Sequence, residues 1–140
     1  MTSAALRARL EVSRAALVAA RQGLSERDFT ADAGDGITLL QLLAALAPAE
    51  REAVRRARSA TGATARPTPG RVERERLLPP AVIHDLAGAR YETMLLLDEI
   101  DDAALDTDAG GDTVRTLIDR VAAREEEAVT RIAPPAADRA

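Results

Sequence analysis

Cysteine, tryptophan, lysine and asparagine are all missing from this chain of 140 residues, which has one histidine, one tyrosine and one phenylalanine. Without cysteine the chain can form neither a disulfide nor a thiolate metal ligand, and one histidine cannot provide a three-imidazole site. Because aromatic side chains are so rare, the core must consist of Leu, Ala, Val and Ile, which suits closely packed helices. The exclusive use of arginine as the basic residue indicates a GC-rich bacterial genome.

A strong net charge and long apolar runs are also absent. The formal net charge is -4 and the pI is near 5.1, so no general attraction to nucleic acid or to an anionic membrane is expected. No apolar run approaches the ~20 residues of a membrane span, and Arg7, Arg9 and Arg14 interrupt the first apolar pattern, unlike a secretory signal. We therefore expect a cytoplasmic protein that binds neither nucleic acid nor membrane.

Apolar residues recur at alternating steps of three and four, which predicts amphipathic helices. Four segments show this pattern, at about 3–22, 38–59, 79–100 and 113–132.

Residues at the ends of these segments are typical helix caps. Gly23 is placed to end the first helix, and Thr38 with Gln41 has the spacing of a capping box at the start of the second. Pro48 predicts a kink within the second helix, because a proline removes one ladder hydrogen bond. Asp112 is the expected N-cap of the fourth helix.

The connection between the second and third helices is the longest. Residues 60–78 combine Gly and Pro with four arginines, Arg66, Arg71, Arg74 and Arg76, and are expected to form a hydrated loop. Such a loop is long enough to cross back along a bundle, which predicts an all-α four-helix bundle of up-down-down-up topology, with up-down-up-down as the alternative. Residues 1–133 are expected to form a single domain and residues 134–140 a flexible tail.

The order of the four segments resembles the DinB-like (damage-inducible) helical bundle superfamily. The matching stretches are LEVSRAALVAARQGLSERDFT (10–30), ITLLQLLAALAPAERE (37–52), LPPAVIHDLAGARYETMLLLDEI (78–100) and TVRTLIDRVAAREEEAVTRI (113–132). Metal-binding members of that superfamily carry one histidine in the second helix and a His-x-x-x-His pair in the fourth.

The resemblance places those three ligand positions on Ala45, Arg124 and Ala128. Two of these side chains are methyl groups and one is a permanent cation, so none can bind a metal. We therefore expect no metal and no cofactor, and the metal-activated thiol chemistry of the superfamily does not carry over to this chain.

Charged residues lie where the helical pattern expects apolar ones. Glu50, Arg90 and Glu125 occupy core-facing positions of three helices, beside Arg124 and the two alanines at the former ligand positions. One interpretation is an Arg/Glu network in place of the metal, either as a structural ion cluster or as a pocket for a polar or anionic ligand. The other is that these side chains extend to the surface of the bundle.

Two further features favour structural explanations. His84 follows the core position Ile83 and is expected at the surface, although Asp85 beside it permits a general-base role. The acidic residues Asp106, Asp108 and Asp112 lack the ligand spacing of a calcium loop.

The sequence thus favours a DinB-like bundle with a degenerate metal site, acting as a non-catalytic module that binds a small ligand or another protein. A homodimer is an expected assembly, because alanine-rich helices allow close approach. The alternative is a metal-free enzyme of isomerase, cyclase or transferase type. The candidate pocket residues are Ala45, Glu50, Arg90, Arg124, Glu125 and Ala128.

Overall fold

The computed structural model describes residues 1–64 and 79–132. Their helices are α1 (Ser3–Gln22), α2 (Glu26–Phe29), α3 (Leu39–Ala44), α4 (Leu46–Thr61), α5 (Pro79–Glu99) and α6 (Val114–Ile132), with a 3₁₀ turn at Ala103–Asp106. The predicted all-α class is confirmed for these residues. The expected tail, and the part of the 60–78 connection that carries the four arginines, lie outside them.

Helix α1 has the bounds that its sequence pattern predicts. The Thr2 hydroxyl accepts a hydrogen bond from the Ala5 backbone N–H at 3.1 Å and caps the first turn, and Gly23 follows the last turn as the C-cap. The predicted stripe is buried at Leu6, Leu10, Ser13 and Leu17.

The second predicted helix is divided into two. Its capping box is present, since Thr38 accepts from the Gln41 backbone N–H at 3.1 Å and Gln41 accepts from the Thr38 backbone N–H at 2.8 Å. However, α3 ends at Ala44 and α4 begins at Leu46, so the expectation of one kinked helix is wrong. Pro48 has no N–H to pair with the Ala44 carbonyl, and the interruption lies where that hydrogen bond is missing.

The start of α6 also differs from the prediction. Because α6 begins at Val114, the capping position is Thr113, whose hydroxyl accepts a hydrogen bond from the Thr116 backbone N–H at 3.2 Å. The Asp112 carboxylate instead accepts from both Nη atoms of Arg120, at 2.8 and 3.0 Å. Asp112 therefore ties the loop to the second turn of the helix rather than capping the first.

Two turns with the same design lead into α3 and α6. Isolated antiparallel bridges join Asp32 to Thr38 and Asp108 to Thr113, and in each case the threonine is the N-cap of the following helix. In both turns the aspartate side chain accepts a hydrogen bond from a nearby glycine N–H, at 2.7 and 3.1 Å. Both turns thus combine a bridge, an aspartate that accepts from a glycine N–H, and a threonine N-cap.

The spacing of three and four places Ile83, Ala87, Arg90, Met94 and Leu97 on one stripe of α5, but the structure buries only part of that stripe. Ala87 is exposed, and Ile83 and Met94 are only half-buried, whereas Arg90 and Leu97 are buried as expected. The buried arc of α5 is broad because this helix contacts both α4 and α1, and it also includes Val82, Asp85, Leu86, Ala89, Glu92, Thr93 and Leu96.

The apolar core has two halves along the bundle. One half includes Leu10, Leu96 and Ile118, and the other includes Leu43 and Leu86. Buried polar residues of α1, α4, α5 and α6 lie at the level between them. Among the described helices none is both long and apolar enough to span a membrane.

The Asp112 pair predicts a specific dependence of stability on pH. The Arg120 guanidinium holds the pKa of Asp112 below its ordinary value. Because the folded pKa is the lower one, the stabilisation is complete above the unfolded pKa of about 4 and is lost as pH falls through the folded pKa. We expect Asp112→Asn to lower the urea midpoint at pH 7 and to approach the wild type in acid. Arg120→Gln should act in the same way, and the double variant should be little less stable than either single variant. If the stabilities of the variants and the wild type keep the same difference at every pH down into acid, the pairing is contradicted.

Candidate functional site

The structure brings together three of the six residues that the sequence singled out. Glu50 of α4, Arg90 of α5 and Glu125 of α6 are 2%, 9% and 1% exposed and meet inside the bundle. The interpretation in which these side chains extend to the surface is therefore wrong for all three. Charges buried to this extent must be paired, since the desolvation of an isolated ion costs on the order of several kcal/mol.

Arg90 connects the two carboxylates. Its Nε donates to Glu50 Oε2 at 2.9 Å, its Nη2 donates to Glu125 Oε1, and its Nη1 donates to the Leu10 backbone carbonyl at 3.0 Å. One guanidinium thus contacts α1, α4 and α6 from its position on α5. The planar fork of arginine suits this role, because its donors are held in a fixed geometry.

A second arginine completes the group. Arg14 of α1 donates from Nε to Glu125 Oε2 at 2.5 Å and from Nη2 to Glu50 Oε1 at 3.5 Å. Two hydroxyls add to it, with Ser13 Oγ 3.1 Å from Glu125 Oε1 and Thr93 Oγ1 2.5 Å from Glu50 Oε2. We call the four charged residues and these two hydroxyl residues the central ion cluster.

The central ion cluster is electrically balanced, with two cations and two anions. Burial opposes the charged form of Arg90, but the fields of Glu50 and Glu125 and the hydrogen bonds to them outweigh it and raise its pKa above the ordinary value. All four carboxylate oxygens already accept a hydrogen bond. A proton transfer at either carboxylate would first have to break these contacts, so the geometry favours a structural role.

The other three candidate residues lie elsewhere. Arg124 and Ala45 are exposed, and Ala128 is buried in the apolar half of the core that holds Leu86. Arg124 immediately precedes the buried Glu125, and a step of one residue turns a helix by about 100°. Ala45, Arg124 and Ala128, the positions that the resemblance assigned to metal ligands, thus do not fit a metal, and within the described ranges no three His, Asp or Glu side chains are arranged to hold one.

The remaining polar candidates have structural surroundings. His84 is exposed, as expected, whereas Asp85 beside it is buried against Arg51, with 2.6 Å between Asp85 Oδ1 and Arg51 Nη2. Asp106 pairs with Arg115 across the loop that precedes α6. None of these contacts forms a catalytic group with the central ion cluster.

Sequence reasoning missed two parts of the polar interior. Arg14 lies four residues after Leu10 and three before Leu17, so its position beside the buried stripe was the available signal. Arg51 of α4, which pairs with Asp85 and with Glu92 at 3.3 Å, lies one residue after the predicted core position Glu50. These contacts place a second group of ion pairs between α4 and α5.

Comparisons with known proteins do not add to the geometry. No protein-family model matches the chain, and neither does any curated protein or solved structure. The site is therefore interpreted from its own contacts.

The central ion cluster predicts a sharp contrast between two arginines. Arg90→Met leaves Glu50 and Glu125 buried with Arg14 as their one shared cation, so we expect a loss of about 3 to 5 kcal/mol in the free energy of unfolding. Arg124→Met is the matched control, because the residue is exposed on α6 and should change the value by less than about 0.5 kcal/mol. Urea denaturation followed by circular dichroism measures both, and equal effects would contradict this assignment.

Proposed function

We propose that the chain is a non-catalytic, DinB-like helical bundle that acts by associating with a second copy of itself. The observation that carries the proposal is the distribution of exposed apolar residues. In the described parts of the chain the large exposed hydrophobic side chains are Met1, which lies two residues before α1, Val12 and Val18 of α1, and Tyr91 of α5.

The directions of the helices support the DinB-like part of the proposal. Arg9 of α1 contacts Glu126 of α6, and the Arg115 guanidinium donates to the Met1 carbonyl, so α1 and α6 run in the same direction. Arg7 contacts Asp98 near the end of α5, so α1 and α5 run in opposite directions.

Helices α4 and α5 share a direction. Glu50 near the start of α4 meets Arg90, while Arg58 near its end lies 3.6 Å from Glu99. From these directions we infer an up-down-down-up arrangement of α1, α4, α5 and α6.

The non-catalytic part of the proposal follows from the state of the buried charges. Glu50 and Glu125 are the carboxylates of the central ion cluster, and both already accept hydrogen bonds on both oxygens. A general acid or base needs an accessible proton position within hydrogen-bond reach of a substrate. The central ion cluster instead holds the helices in register.

Helix α1 is apolar on the face that points away from the core. Its exposed positions are alanine or valine except for Glu11 and Gln22: Ala4, Ala5, Ala8, Glu11, Val12, Ala15, Ala16, Val18, Ala19 and Gln22. Small side chains on such a face let another helix approach closely. By contrast, the outer face of α6 carries Arg120, Arg124, Glu126 and Glu127.

Helix α5 buries three charged residues and exposes two apolar ones, alongside the exposed His84, Asp98 and Glu99. Asp85, Arg90 and Glu92 are buried, whereas Tyr91 is 65% exposed and Ala87 is also exposed. Burial of the charges is explained by their partners on α1, α4 and α6. No contact within the described residues explains the exposed apolar side.

The apolar faces of α1 and α5 adjoin. Arg14 Nη1 donates to the Leu86 carbonyl at 3.3 Å, so the two helices are neighbours along the edge from which Ala87 and Tyr91 project. Two helices about 30 Å long and 8 to 10 Å apart present a surface area of about 600 Å² on one side. Two such faces amount to about 1,200 Å², which exceeds the ~1,000 Å² of a specific interface. A second copy is the partner that supplies the same mainly apolar face, whose charged residues include Glu11 and Asp98.

Sedimentation velocity over a wide concentration range tests the self-association. We expect a reversible dimer with a dissociation constant of micromolar order, as is typical of an interface of this size. Val12→Glu places a charge at the centre of the apolar face and should weaken the dimer by at least about tenfold, because the carboxylate would be buried without a partner.

Ala123→Glu is the matched control, since Ala123 is exposed on α6, and it should leave the dimer unchanged. A wild-type chain that stays monomeric at the highest concentration would overturn the self-association. So would a control that weakens the dimer as much as Val12→Glu does.

The loss of the metal site has a separate test. Because neither Ala45, Arg124 nor Ala128 offers a donor atom, zinc and nickel should dialyse away from the folded chain. Equilibrium dialysis followed by elemental analysis measures the bound metal. One tightly bound ion per chain would contradict the proposed degenerate site.

A further inference from the structure

A groove opens at the end of the bundle, far from the central ion cluster. It lies between the last turn of α1, the last turn of α6, the chain from Asp28 to Ala33, and Leu39. Its volume is about 580 Å³, which is within the range of sites that hold small molecules. None of its lining residues belongs to the central ion cluster.

The walls of the groove are apolar and built from small residues. The small side chains of Ala20, Ala31 and Ala33 leave the space open. Larger apolar surface comes from Leu24, Leu39 and Ile132. An apolar body of a few carbon atoms would be removed from water here, which is favourable.

The wall formed by the turn is held in place by backbone hydrogen bonds. Ala33 N–H donates to the Ile37 carbonyl at 2.8 Å, and Leu39 N–H donates to the Ala31 carbonyl at 3.0 Å. Such bonds keep the shape of the groove without a ligand, so little ordering would accompany binding.

The charges around the groove are mainly negative. Asp28 and Asp32 line it together with Arg131, but Arg131 Nη2 already lies 3.0 Å from Glu127 Oε1 and 3.7 Å from Asp35 Oδ2. Arg131 is therefore neutralised at the rim.

Both aspartates keep a carboxylate oxygen for a ligand. Asp28 uses Oδ2 for the Ser25 backbone N–H at 2.8 Å, and Asp32 uses Oδ1 for the Gly34 N–H at 2.7 Å. Among the described residues the second oxygen of each has no hydrogen bond.

Helix α1 adds to this negative field. It ends at the groove, where its C-cap Gly23 forms part of the lining. The C-terminal end of a helix carries a partial negative charge and attracts cations.

We propose that this groove binds a small organic cation, an amine carried on an apolar body. The apolar body lies against Leu24, Leu39 and Ile132, and the ammonium group meets Asp28 and Asp32 beside the end of α1. This inference does not rest on the dimer, although Ala19 lines the groove and also belongs to the outward face of α1.

Three probes with the same apolar body test the charge preference. The full chain is titrated with phenethylamine, 2-phenylethanol and 3-phenylpropionate at physiological salt, with binding followed from backbone amide NMR signals. We expect phenethylamine to shift the signals of Gly23, Asp32 and Ala33, and to bind at least about tenfold more tightly than the alcohol, because the ammonium gains two carboxylates. The carboxylate probe should bind most weakly.

Two variants locate the site. Ala31→Leu fills the groove and should weaken phenethylamine binding by at least about tenfold. Asp32→Asn keeps a side-chain oxygen for the Gly34 N–H but removes the charge, and should reduce the preference for the amine over the alcohol severalfold.

The control for charge is Asp108→Asn, which changes the equivalent aspartate of the other turn and should have no effect on binding. Equal binding of the amine and the carboxylate probes would overturn the proposal. So would shifts confined to residues outside the groove, no shift with any probe, or an Asp108→Asn effect as large as that of Asp32→Asn.

Discussion

Arg90 donates hydrogen bonds to a carboxylate on α4, a carboxylate on α6 and a backbone carbonyl on α1, so one buried guanidinium connects all four long helices. A buried cation is tolerable only while those partners are present, and each carboxylate depends equally on the two arginines. Because the partners come from different helices, the pairing requires one relative register of the bundle. An apolar core made of small, similar side chains would specify that register much less sharply.

The same constraint shapes the outside of the molecule. Helix α5 turns Asp85, Arg90 and Glu92 inward to meet their partners, and its opposite side is therefore left with Ala87 and Tyr91 in contact with solvent. On α1 the inward stripe of leucines leaves a face of alanines and valines outside. The proposed self-association and the polar interior are thus two results of one helix orientation.

Much of the candidate site was predictable, because burial follows the helical period. Glu50, Arg90 and Glu125 fall on stripes of otherwise apolar residues, and the structure buries all three. Arg124 was misplaced because its position came from matching metal ligands rather than from the helical period. Arg14 was missed because a residue at the border of a stripe turns inward only if a partner is there to receive it.

Local signals in the sequence determined where most helices begin and end. Caps such as Thr38 with Gln41 and the C-cap Gly23 act through the backbone of neighbouring residues, so they need no knowledge of the rest of the chain. Only the tertiary structure decided which charges pair, since Glu50, Arg90 and Glu125 are at least 35 residues apart in the chain. The groove beside α1 likewise depends on how separate segments pack. Such contacts depend on which segments lie close together in space. The periodicity within one helix carries no information about that.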